Sequence, residues 1–205
     1  MVNDLRKFRP LTDSLDLVRA PFMSVWDAVQ KEVRRYTNGE KLTLESSRVS
    51  SAAELFESVQ TFANLPLTYF ILPTRSDWTV LWFDSFLCDG YDSLCWNLTQ
   101  SHGFETLHQR STDVDSRMLR GNSFTHRHRV NGRMEERSVY CAVADAGRWR
   151  FEAHGTPLPE EDLSSYNANR NSARLNENLM EALLGRLQAF PWACLLYTSP
   201  SPRDS

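Results

Sequence analysis

Lysine is nearly missing from this chain: Lys7, Lys31 and Lys41 are the only three, so its basic residues are almost all arginine. Arginine presents a planar fork suited to carboxylate or phosphate, which sets the chemistry of any basic surface. Charge of one sign is also lacking. The 23 Lys and Arg against 26 Asp and Glu leave a formal −3, no global footprint for a nucleic-acid backbone. No stretch approaches the roughly 18 uninterrupted apolar residues of a membrane span. With 8 glycines, 9 prolines and 4 cysteines in 205 residues, the composition argues against a collagen-like repeat and a disulfide scaffold. What is present, 41% apolar, 24% charged and 11% aromatic, is ordinary for one soluble globular domain.

The two ends read differently from the middle. Met1 to Lys7 is polar and mixed in charge, with no apolar run after it, so no secretory leader is read there. Residues 1–193 are taken as a single α+β domain, of which 1–20 are expected to form a loosely ordered arm. Residues 194–204 read CLLYTSPSPRD, with neither a helical period nor a strand alternation. That run resembles the conceptual translation of a sequencing adapter. Residues 194–205 are therefore expected to stand outside the fold, in place of natural residues beyond Ala193. The three remaining cysteines, Cys88, Cys95 and Cys141, are expected to be free thiols in a reducing cytoplasm.

Periodicity and punctuation place the elements. Phe22, Val25, Trp26, Val29, Val33 and Tyr36 recur at helical spacing, with Pro21 in the first turn and Asn38-Gly39 as the stop. Lys41 to Glu45 alternates like a short strand, and Ser51 to Glu54 is a capping box opening a second helix. From Leu67 the period becomes two: residues 68–72 and 78–83 predict a hairpin around residues 73–77. Asp89 then reads as the N-cap of a helix with the stripe Tyr91, Leu94, Cys95 and Leu98, closed by Gly103, with a strand from Phe104 to His108.

Asn131-Gly132 demands a type I′ hairpin turn. It sets Val130 opposite Arg133, His128 opposite Glu135, Arg127 opposite Glu136 and Phe124 opposite Val139. A bulged turn at Gly147 sets Val143 against Trp149 and Cys141 against Phe151. Both turns place Phe124, Val139, Cys141, Val143, Trp149 and Phe151 on one face. A last helix carries Leu175, Leu179, Leu183, Leu187 and Phe190 on one stripe, widened by Met180 and Leu184. The expected fold class is α+β, a mainly antiparallel, meandering sheet of about six strands with one layer of helices on it.

Four constellations could carry chemistry. His126 and His128 share a strand face and could hold a metal ion, although no standard ligand spacing completes the set; the plain alternative is an exposed hairpin tip. Arg127, Arg129, Arg133 and Arg137 could form a basic ribbon, but Glu135 and Glu136 neutralise it, so nucleic acid is not the expected partner. Cys88, just before a helix start, could be a nucleophile if a base reached it, and Asp84, Asp89 and Asp92 could hold a hard cation without the ligand repeat of a calcium loop. Trp78 and Trp82 belong either to a doubly covered strand or to a docking patch. No catalytic motif converges. The sequence therefore reads as a non-enzymatic, macromolecule-binding domain of immunity type or a similar interaction protein. It would meet a protein partner through His126, Arg127, His128, Arg129 and Arg133, with no cofactor, metal or membrane. The alternative is a small hydrolase-like or metal-dependent enzyme using Cys88 or the His126/His128 pair.

Overall fold

The computed structural model describes residues 2–4, 14–36, 69–83, 91–112, 120–144, 147–190 and 193–195. The expected strand at 41–45, the capping box at 51–54, Cys88, Asp84 and Asp89 lie outside them. The elements run β1 (Val2–Asp4), β2 (Ser14–Arg19), α1 (Phe22–Tyr36), β3 (Tyr69–Pro73), β4 (Trp78–Phe83), α2 (Tyr91–His102), β5 (Glu105–Thr112), β6 (Gly121–Val130), β7 (Arg133–Val143), β8 (Trp149–His154), α3 (Glu177–Arg186) and β9 (Ala193–Leu195). Seven strands form one antiparallel sheet in the order β3-β4-β2-β5-β6-β7-β8, and β1 pairs with β9 apart from it.

The α+β class holds, with two corrections. Residues 14–19 are no arm. They are a central strand between β4 and β5, with Leu15, Leu17 and Val18 fully buried, and they bring the sheet to seven strands. Asp16 interrupts the apolar run, and the partners of β2 lie far along the chain, so no local turn announces it. Helices also lie on both faces rather than one. Alternation along each strand sends one set of side chains to each side. The first face carries Leu15, Leu17, Val80, Trp82, Leu107, Phe124, Val139 and Cys141, covered by Leu175, Met180, Leu183, Leu184 and Leu187. The second carries Val18 and Leu81, covered by Val25, Ala28 and Val29 of α1 and by Leu94 and Leu98 of α2.

Both hairpin registers are as the turn chemistry dictates. Val130 pairs with Arg133, Arg127 with Glu136, Phe124 with Val139, Val143 with Trp149 and Cys141 with Phe151. Asn131 and Gly132 both have positive φ, 50° and 80°, as a type I′ turn requires. Trp78, Val80 and Trp82 face the first layer and Leu81 the second, so β4 is the doubly covered strand. The Trp78 indole N–H donates to the Leu187 carbonyl at 3.1 Å and anchors the C-terminal layer. That layer departs from expectation at its end: α3 stops at Arg186, Gln188 turns left-handed at φ 55°, and Phe190 faces solvent. Residues 194 and 195, expected outside the fold, pair with β1; 196–205 lie outside the described residues.

Candidate interaction surface

The β6–β7 ribbon positions every residue of the expected surface, and it divides them. His126 and Arg127 are only 4% and 3% exposed, so neither is a surface group. This is a correction: they sit within the sheet rather than at its tip. His126 faces the first layer, where its Nε2 lies 2.8 Å from Glu105 Oε1. Burial alone would raise the Glu105 carboxyl; the His126 and Arg19 contacts outweigh it and hold the group below the usual carboxylate range. Arg127 faces the other way and donates through Nε to Glu136 at 2.6 Å. His128 is half-buried, its ring 5.1 Å from that of His126. Arg129 and Arg133 are exposed. Among the described residues, no three His, Cys, Asp or Glu side chains stand together as metal ligands.

Two further histidines hold carboxylates that lie far from them along the chain. His108 Nδ1 lies 2.7 Å from Asp16 Oδ1, and His102 Nε2 lies 3.0 Å from Glu32 Oε1; both acids are 2% exposed. A buried carboxylate needs such a partner. On the first face Arg137 makes a two-pronged contact with Glu161, at 2.8 and 2.7 Å, and Tyr166 O–H and Leu158 N–H donate to the same carboxylate. Burial raises the Glu161 carboxyl, but these donors prevail and lower it; burial and then Glu161 itself push the Tyr166 phenol up.

What remains displayed at the ribbon tip lies on both of its faces: Arg129 on the α2 side, Val130 and Arg133 on the other. The Arg129 guanidinium donates to the Gln100 carbonyl at 3.4 Å and to the Gly132 carbonyl at 2.8 Å, tying the ribbon tip to the end of α2. Trp96 stands one helical turn before Gln100 on the same face and is 42% exposed, and Val130 beside Arg129 is 37% exposed. Sequence reading passed over Trp96. Its signal was there: Trp96 falls off the buried stripe of Leu94, Cys95 and Leu98, on the face a helix turns to water. Cys95 and Cys141 are buried free thiols, and no helix among the described residues is long and apolar enough to cross a membrane. No protein-family model, curated protein or solved structure matches the chain.

Proposed function

We propose that this chain is a non-enzymatic, protein-binding domain of immunity type or a similar interaction protein. It acts in a reducing cytoplasm, through the ribbon tip and the end of α2: Trp96, Gln100 and Arg129 on one side of the ribbon, Val130 and Arg133 on the other. The observation that carries this reading is the exposed Trp96 beside an arginine already fixed by two backbone carbonyls. Tryptophan and arginine dominate binding energy at protein interfaces, and a side chain ordered before contact loses less entropy on binding. Neither Arg129 nor Arg133 is opposed by a carboxylate among the described residues, so the fitting partner offers acidic groups around an apolar pocket. Arg127 adds nothing there, since Glu136 already neutralises it.

The test is a pull-down from native-host lysate with the wild-type chain, Trp96→Ala and the double variant Arg129→Glu/Arg133→Glu. All three positions are exposed, so each variant is expected to melt within about 0.5 kcal/mol of wild type. A protein held by wild type and released at least tenfold by both variants supports the reading. Equal retention by the variants, or no retained protein at all, sinks it.

A further inference from the structure

Among the described residues the seven-stranded sheet ends on β8, which pairs with β7 on one side only. Two bonds fix the direction of its backbone groups. The Val143 N–H donates to the Arg120 carbonyl at 2.8 Å, toward β6, and the Ala144 N–H donates to the Arg148 carbonyl at 2.8 Å, toward β8. Alternation along an antiparallel ladder then turns Ala142, Tyr140 and Ser138 toward β8, where Arg150, Glu152 and His154 meet them. Trp149, Phe151 and Ala153 therefore point their N–H and C=O groups off the sheet. The Asn171 amide agrees, donating to the Trp149 carbonyl at 2.9 Å. Nothing among the described residues bonds to the outward groups of Phe151 and Ala153.

Such an edge invites another strand unless proline, a bulge or repelling charge closes it. β8 has no proline, and its register with β7 runs without a bulge. Its exposed charges are mixed. Arg150 and Glu152 stand two positions apart on one face. Arg150 makes no ion pair or hydrogen bond among the described residues, and Glu152 has only His154 Nε2 at 3.7 Å.

That spacing is self-complementary. An antiparallel pairing of β8 with a second β8, centred on Phe151, sets Arg150 opposite Glu152 of the second copy and Glu152 opposite Arg150. The two Phe151 residues then exchange their free N–H and C=O bonds, and Trp149 falls opposite the small Ala153. Centring on Arg150 or on Glu152 sets like charges face to face. Centring on Ala153 carries the ladder into Gly155, whose φ of 84° has already left the strand.

We infer that this chain associates with a second copy of itself through β8, joining two seven-stranded sheets into one across a two-fold axis. One short strand per copy makes a small contact, so the association is weak and reversible. It goes beyond the protein-binding reading and does not depend on it. β8 reaches no further along β7 than Ser138, so the ribbon tip takes no part.

The experiment is sedimentation velocity on the full chain from about 5 to about 500 μM, a range suited to a weak dimer. Wild type is expected to pass from monomer to dimer as concentration rises. Arg150→Glu and Glu152→Arg each set like charges opposite one another and are expected to weaken dimerisation about tenfold. An equimolar mixture of the two variants is expected to recover it, since every glutamate then faces an arginine. Ala153→Pro removes an N–H that no bond within the molecule uses, and is expected to fold and remain monomeric. Thermal melts check that each variant is folded. The inference fails if wild type stays monomeric throughout, if either charge variant dimerises as tightly as wild type, or if the mixture associates no better than its components.

Discussion

Asp16 on β2 and His108 on β5 stand directly opposite each other across the sheet, 92 positions apart in the chain, with Oδ1 and Nδ1 2.7 Å apart. The acid is almost wholly out of water while the imidazole keeps a fifth of its surface exposed. Removing one partner strands the other. Asp16→Ala is expected to lower the unfolding free energy by about 3 kcal/mol. In a double-mutant cycle with His108→Ala, the paired loss should fall short of the sum of the single losses by about 1 kcal/mol or more. Urea denaturation of the four proteins measures this, and strictly additive losses would show that the pair adds nothing of its own.

Glu161 makes the fold acid-sensitive. Its carboxyl titrates below the usual range in the folded chain and near about 4.3 when unfolded. The unfolded chain therefore takes up the proton first as pH falls. The stabilisation is complete above about pH 4.3 and is lost as pH drops through the lowered native value. Glu161→Gln is expected to cost about 3 kcal/mol at pH 7, by leaving Arg137 buried without its counter-charge, and to flatten the stability profile below pH 4.3. Denaturation midpoints measured from pH 7 to pH 3 check both.

Two glycines with similar φ should respond differently to alanine. Gly132 has φ 80° and open space where a Cβ would stand, so Gly132→Ala carries only the left-handed backbone penalty, about 1 kcal/mol. Gly155 has φ 84° and a Cβ there would meet the Glu136 carbonyl oxygen. Its own carbonyl also accepts from Arg137 at 3.1 Å. Gly155→Ala is expected to cost more than about 3 kcal/mol, since the shift it forces disturbs the Arg137 contacts. Equal costs in thermal melts would contradict this.

Cys141 should be chemically silent in the folded chain. Burial pushes its thiol up against the opposing influence of the Leu175 backbone and Arg174, and Sγ donates to the Asn171 carbonyl at 3.0 Å. With a thiol reagent at pH 8, peptide mapping should find Cys141 and Cys95 unmodified in native protein and labelled only in denaturant. Labelling of Cys141 at the rate of a free thiol would overturn the assignment of its face to the core.

Much of the sheet was legible because its turns are local. Asn131-Gly132 and Gly147 specify their registers through backbone stereochemistry alone, and β6, β7 and β8 follow. The stripe of α2 and the hairpin of β3 and β4 were readable for the same reason: the partners are neighbours in sequence. Long-range pairing leaves no such mark. Nothing near Ser14 indicates that β2 joins β4 and β5, and nothing near His126 indicates that Glu105 will consume its Nε2. A histidine beside arginines on a strand reads as surface until the carboxylate facing it is known. Only Arg129 and Arg133 of the expected surface were recognisable as exposed, because they flank the turn.

The place of β2 has a consequence for the order in which the chain can be assembled. A polypeptide synthesised from its N-terminus makes residues 14–19 early and must leave both edges of that strand unsatisfied until residues 78–83 and 105–110 exist. The meander from β5 to β8 has no such wait, because each strand pairs with the next as it emerges. Closure of the central seam is then a late, long-loop event that slows folding and leaves Leu15, Leu17 and Val18 open to wrong partners in the interval.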